Sequence, residues 1–248
     1  MKNIVKSEVG SNHYKVILRH GDGWQEYDTA RLHISVPPEP IFDPRTQSIL
    51  DWSVQNFDKV TLYLHDTIQR YNLMASGLDE SQAYKKALEN GDVWLRNNIL
   101  PGQVFIDVVR WNKLLEHPDY TKVHQQVCQL YKTNSGFSDA IDHDLDTFAE
   151  RCRKRGEAFG PDRMALSRTF LLEEVAAYIP LYRATGAVDM LPGMRMKAMQ
   201  LLLAGTGNFG LRQNLMISVK TYDTKPSHPD EPYLNGPRRL IAPLAFKI

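Results

Sequence analysis

Residues 32–77 read LHISVPPEPIFDPRTQSILDWSVQNFDKVTLYLHDTIQRYNLMASG, and this stretch decides the fold class. It opens inside a strand, Arg31 to Val36 (RLHISV), which stops at Pro37-Pro38 because proline removes ladder donors. Asp43-Pro44 then supplies an N-cap and a first-turn proline, which predicts a helix from about Pro44 to Phe57. Val60 to His65 (VTLYLH) is a second strand, with Val60, Leu62 and Leu64 on one side. A further helix, Thr67 to Ala75, ends at Gly77. Strand, helix, strand, helix is the repeating unit of a parallel sheet covered by helices.

Working outward, His13 to His20 (HYKVILRH) reads as an earlier strand, closed by a turn at Gly21-Asp22-Gly23. Downstream, Asp79 caps an amphipathic helix through about Ile99, with Pro101-Gly102 as the break. Val104 to Val109 (VFIDVV) is almost continuously apolar and reads as a buried parallel strand. Helices follow at about Tyr120 to Lys132, Phe137 to Arg155 and Arg163 to Tyr182, then a helical run from Met194 to Leu203 and a strand from Leu215 to Lys220. Beyond Lys225 no periodicity remains and coil is expected. The expected fold class is α/β, a mostly parallel sheet flanked by helices. One domain is expected over 1–248, its core about 13–220 and its tail about 225–248.

Composition narrows the function classes. The 248 residues are 42% hydrophobic and 24% charged, enough for a substantial core. No run approaches the roughly 20 apolar residues that span a bilayer, and the N-terminus lacks an apolar signal core. No membrane association and a cytoplasmic setting are therefore expected. Cys128 and Cys152 lie far from any CxxC spacing, and the eight histidines show no ligand motif, so neither a disulfide framework nor a metal is expected. A net charge of +1 does not announce a nucleic-acid binder, although a basic face can hide within a balanced total.

Four features could carry chemistry. Ser35 ends a strand and precedes a loop into a helix, the place where open α/β sheets collect ligands; a strand-end serine that bonds the next turn is the bland alternative. Phe170, Glu174 and Tyr178 are spaced four apart on one helix face. A carboxyl between two rings is partly desolvated, which raises its pKa and suits acid–base work; otherwise Glu174 is simply solvated. Glu173, about 100° around the helix, reads as a solvated neighbour. Gly205, Gly207 and Gly210 (GTGNFG) match G-x-G-x-x-G, but they follow a helix instead of a strand, so a helix C-cap explains them and a dinucleotide cofactor is rejected. Basic residues cluster at Lys85, Lys86 and Arg96, and again at Arg151, Arg153, Lys154 and Arg155; they could hold phosphates or form solvated faces.

The 32–77 stretch resembles the N-terminal half of the tRNA-dependent cyclodipeptide synthases: a strand ending in a nucleophilic serine, a helix with a tryptophan, and a strand leading into Asp-Thr. Ser35, Trp52, Phe57, Asp66, Thr67, Ala75 and Gly77 lie on that pattern without a gap. Similarity continues through LLEHPDY (Leu114 to Tyr120), the Phe137 helix, FLLEEVAAYIPLY (Phe170 to Tyr182) and DMLPG (Asp189 to Gly193), covering roughly residues 30–220. The resemblance implies a Rossmann-like fold similar to class I aminoacyl-tRNA synthetase catalytic domains, with no cofactor, no metal and aminoacyl-tRNAs as substrates. It implies ping-pong catalysis through an aminoacyl-Ser35 and release of a diketopiperazine. Glu174 and Tyr178 would be the helical catalytic pair. Arg31, His33, Tyr63 and Phe170 would line the first amino acid's site, pointing to a polar or charged substrate unless His33 is structural. Lys85, Lys86 and Arg96 would meet tRNA, and a monomer is expected. The family pattern is Tyr-x-x-x-Glu, whereas here either Phe170 precedes Glu174 or the pair is exchanged as Glu174 and Tyr178. Pro38 replaces an expected asparagine, and Met194 to Met199 lacks an expected tyrosine. An aminoacyltransferase with another acceptor and a catalytically silent tRNA-binding relative are the alternatives.

Overall fold

The computed structural model describes residues 4–9, 12–19, 23–99, 106–192, 196–211 and 216–223. Its strands are β1 (Ile4–Val9), β2 (Asn12–Arg19), β3 (Thr29–Ser35), β4 (Lys59–His65), β5 (Ile106–Arg110), β6 (Val188–Leu191) and β7 (Met216–Asp223). Its helices are α1 (Pro44–Asn56), α2 (Arg70–Ala75), α3 (Glu80–Asn98), α4 (Trp111–Leu115), α5 (Tyr120–Thr133), α6 (Ser135–Lys154), α7 (Pro161–Arg183) and α8 (Lys197–Leu203). The strands form one sheet in the order β1-β2-β7-β6-β3-β4-β5. β7, β6, β3, β4 and β5 run parallel, while β2 joins β7 and β1 joins β2 antiparallel.

Local chemistry sets the helix starts as the sequence implies. The Asp43 side chain accepts the Arg45 N–H at 3.1 Å, with Pro44 in the first turn of α1. Asp79 and Gln82 form a full capping box on α3. Gly205, with φ of 103°, ends α8 and donates its N–H to the Leu202 carbonyl, so the glycine run is a C-cap and loop. Thr67 to Ala75 is a 3₁₀ turn, Thr67–Gln69, leading into α2.

Strand alternation sorts β3 and β4 into two faces. Leu32, Ile34, Leu62 and Leu64 are fully buried and pack with Ile49, Leu50 and Trp52 of α1. Each buried aliphatic side chain there contributes about 1.5–3 kcal/mol relative to exposure. Arg31, His33, Ser35, Tyr63 and His65 leave from the opposite face, in register as Arg31↔Thr61, His33↔Tyr63 and Ser35↔His65. That polar face lies against α7 and positions the site.

The sequence misplaces β5 in the architecture. It reads as a buried strand, but β5 ends the sheet: Val108 is 39% exposed and Asp107 faces Lys59 at 3.3 Å. An apolar run cannot reveal whether a further strand covers its edge. β1 and β6 are unrecognised in the sequence, β6 because it is short and carries Asp189 at its centre. Several expectations lie outside the described residues: the Gly21-Asp22 turn, the Pro101-Gly102 break, the strand start at Val104, Gly193 and Met194, Leu215 and the tail 225–248.

Candidate active site

The neighbouring parallel strands β6, β3 and β4 bring polar side chains toward α7. Ser35 ends β3, His65 ends β4 and Asp189 lies in β6. Asp189 is fully buried and joins two β3 side chains: its Oδ2 accepts Arg31 Nη2 at 2.7 Å and its Oδ1 lies 3.2 Å from His33 Nε2. Arg31 Nη1 also donates to the Leu181 carbonyl of α7 at 2.8 Å. A carboxylate only accepts, so Nε2 is the donor in this contact. His33 Nδ1 and Arg31 Nε are buried without a partner among the described residues. His33 stacks on Tyr63 with ring centroids 5.2 Å apart. His33 is therefore satisfied on one nitrogen and open on the other.

The α7 face supplies Glu174 and, one turn on, Tyr178. Tyr178 is buried, and its hydroxyl lies 3.3 Å from His65 Nε2 and 3.5 Å from Nδ1. Glu174 Oε1 lies 3.7 Å from His65 Nδ1, with the Glu174 side chain only 15% exposed. Burial pushes the Glu174 carboxyl up to about 8, partly offset by a hydrogen bond from Tyr178. Burial likewise raises the Tyr178 phenol and lowers the His65 imidazole, the latter helped by nearby His33. These causes make all three groups neutral near pH 7.

A stability prediction follows from these shifts. Unfolded glutamate loses its proton near 4.5, whereas folded Glu174 keeps it to about 8. In that window the unfolded chain binds fewer protons, so stability falls as pH rises, by at most about 1.4 kcal/mol per pH unit. His65 has the opposite sign: its folded ring stays neutral below 6.5, so acid favours unfolding there. The two slopes oppose each other below 6.5, and Glu174 acts alone from there to about 8. Thermal melts across that window should show wild type losing stability relative to Glu174→Gln. Parallel curves for the two proteins would mean that the carboxyl titrates normally.

Glu173, expected at the solvated surface, is instead 4% exposed. Its carboxylate accepts from Arg70 Nη1 at 3.0 Å, from Arg70 Nη2, from the Tyr71 hydroxyl at 2.7 Å and from Trp111 Nε1 at 2.8 Å. The rotation away from Glu174 is as read, but α2 and α4 cover that side of α7 too. Sequence periodicity sees one covering layer, and this helix has several.

A strand-end serine thus lies in register with His65, which neighbours the buried Glu174 and Tyr178. Residues 32–192 match the cyclodipeptide synthase family. The chain belongs to that family.

Solved structures agree in fold. A cyclodipeptide synthase from Fluoribacter dumoffii superposes with a TM-score of 0.71 at 20% identity, covering 89% of this chain and all of that one. A cyclodipeptide synthase from Candidatus Glomeribacter gigasporarum, described as bound to Phe-tRNAPhe, gives 0.56 at 17% identity, covering 84% and 93%. A tyrosyl-tRNA synthetase from Archaeoglobus fulgidus gives 0.51 at 14% identity, covering 79% and 57%, which places the Rossmann-like sheet beside the class I synthetases. No curated protein matches the sequence. Cyclodipeptide synthases are aminoacyl-tRNA-using transferases, and this chain is one of that family.

Within this cyclodipeptide synthase, the sequence-expected residues Arg31, His33, Ser35, Tyr63, Glu174 and Tyr178 share the space between the β3–β4 face and α7. Phe170 lies one turn from Glu174 and packs on Tyr71, at 6.4 Å between centroids, with the Ile68–Trp111 cluster. Lys85, Lys86 and Arg96 are exposed on α3, and none pairs with a described acid. Arg155 pairs with Glu157, as does Arg163, so the second basic cluster is partly neutralised. No group of metal-ligating side chains forms among the described residues, and no described helix is long and apolar enough to cross a membrane. The sequence reading missed His65 and the pairing of Asp189. The one available signal was a charged residue inside the apolar run Val188 to Leu191.

Proposed function

We propose that this cyclodipeptide synthase works by ping-pong catalysis through an aminoacyl ester on Ser35. The observation that supports the reading is the register Ser35↔His65 at the strands' C-terminal ends, because His65 in turn neighbours Glu174 and Tyr178. Ser35 Oγ attacks the ester carbonyl of a first aminoacyl-tRNA; its proton leaves with the tRNA hydroxyl, and an aminoacyl-serine remains. The amine of that aminoacyl group attacks a second aminoacyl-tRNA, a second tRNA hydroxyl departs, and a dipeptidyl-serine remains. The new terminal amine then attacks the serine ester, closing the diketopiperazine and returning the proton to Oγ. The tRNA esters supply the activation, so the sequence of steps is complete without another energy source. Glu174, neutral and buried, and Tyr178 one turn away move the protons. Lys85, Lys86 and Arg96 meet the tRNA backbone through their exposed charge.

Arg31, His33, Tyr63 and Phe170 bind the first amino acid, whose side chain is polar or charged. The support is the buried polar lining, in which His33 Nδ1 and Arg31 Nε lack partners among the described residues. A product profile composed only of aliphatic dipeptides would overturn this assignment.

The test is mass spectrometry of a bacterial culture expressing the chain beside one expressing Ser35→Ala. A new diketopiperazine that disappears with Ser35→Ala is the expected result and identifies both amino acids. A ring still made by the folded alanine variant would refute the covalent route. An adduct on Ser35 without a ring would point to a different acyl acceptor.

A further inference from the structure

Ser35 and His65 end neighbouring parallel strands as an in-register pair, and the Val36 N–H bonds the His65 carbonyl at 3.3 Å. Such partners project to the same sheet face about 4.8 Å apart, so the hydroxyl and the imidazole leave the sheet side by side. The imidazole is buried among rings: Trp111 at 4.7 Å, His33 at 5.6 Å and Tyr178 at 5.6 Å between centroids. Its polar neighbours come from α7, namely the Tyr178 hydroxyl and Glu174 Oε1. From β3 it meets His33, whose Nε2 lies 3.2 Å from Asp189, itself paired with Arg31.

An imidazole among these rings loses its hydration, a cost that a leucine of similar bulk would avoid. It therefore needs a polar role to offset that loss. A neutral ring offers one donor and one acceptor, which match a phenol and a protonated carboxyl. The Tyr178 hydroxyl lies between the two ring nitrogens, and Glu174 stands a few tenths of an ångström beyond hydrogen-bond range. A small shift of either side chain completes a chain from Glu174 through His65 to Tyr178, beside the serine.

We propose that His65 is a positioning residue for the chemistry at Ser35, fixing the Tyr178 hydroxyl and the Glu174 carboxyl where protons are exchanged. The inference rests on the reading of Ser35 as the acylated residue. It gives the end of β4 a part in the proton-handling group, whose other members come from β3 and α7.

The experiment follows acylation of Ser35 by a mixture of charged tRNAs in single turnover, using His65→Leu, His65→Gln, Tyr178→Phe and the His65→Leu/Tyr178→Phe double variant. His65→Leu should slow acylation roughly 10²-fold, the low end for a positioned proton-transfer group, while half-saturation by charged tRNA stays within about twofold. His65→Gln keeps an amide at the ring's edge and should recover part of the rate. The double variant should be no slower than the worse single one, because both act through one unit. A His65→Leu protein that acylates at the wild-type rate, or losses that multiply in the double variant, would overturn the proposal. If His65→Leu does not fold, nitrogen-15 shifts of the His65 ring decide, compared between wild type and Tyr178→Phe. A changed ring resonance supports the contact and an unchanged one overturns it. Failure of this proposal leaves wild-type acylation intact, whereas failure of the reading beneath it removes acylation from wild type itself.

Discussion

Glu173→Ala is expected to lower the unfolding free energy by about 3–5 kcal/mol, the usual cost of removing one partner of a buried ion pair. Four donor contacts converge on this carboxylate, two from Arg70 and one each from Tyr71 and Trp111. They tie α2 and α4 to α7. Arg70 is 12% exposed at its side chain and would keep, among the described residues, the Thr67 carbonyl, the Tyr71 hydroxyl and the Tyr71 ring as company, none of them charged. The indole N–H and the Tyr71 hydroxyl would lose their acceptor inside the same cluster. At roughly 2–4 °C per kcal/mol for a chain of this size, the melting temperature should drop by about 6–20 °C. Glu174→Gln, one residue on, should cost far less near pH 7 because that carboxyl is already neutral there. Equal melting temperatures for the two variants would contradict the division of roles between these adjacent glutamates.

Asp189→Ala is the second large effect, again about 3–5 kcal/mol. Asp189 is 0% exposed and faces Arg31, whose side chain is 8% exposed, at 2.7 Å. Without it the guanidinium keeps one acceptor among the described residues, the Leu181 carbonyl, and His33 loses its Nε2 partner. The burial of both charges makes a specific rescue available. Arg31→Met combined with Asp189→Leu replaces the pair by apolar groups of comparable volume, an exchange that is often neutral or stabilising. The double variant should therefore recover most of the stability lost in Asp189→Ala, measured by urea unfolding. If its loss equals that of the single variant, the Arg31–Asp189 pair is not what makes the site expensive to break. On the proposed reading of Arg31 as part of the first-substrate site, the double variant should also change which first amino acid appears in the product, since it removes the charged pair from beside His33.

The chain's local chemistry was legible before any tertiary structure. Asp43-Pro44 and Asp79 with Gln82 start their helices through contacts made within three residues, so the sequence states them outright. The alternation of β3 and β4 told which residues share a face, and with it the common side of Arg31, His33 and Ser35. The four-residue spacing of Glu174 and Tyr178 fixed their common face on α7 for the same reason: both follow from backbone geometry alone. Even the glycine run resolved correctly, because a left-handed C-cap is a local event.

What escaped depends on residues far apart in the chain. Asp189 meets Arg31 and His33 across more than 150 positions, and Glu173 meets Arg70 and Trp111 across 103 and 62. No periodicity encodes such partners, so Glu173 read as solvated and His65 as an ordinary strand end. Whether β5 is central or an edge is decided by the sheet order, which among the described residues gives it a neighbour on one side only. Sequence alone therefore determined most of the elements, the faces of β3, β4 and α7, and the family. Tertiary structure decided which polar residues are buried, because burial is set by what packs against a face, and no residue carries that information in its own neighbourhood.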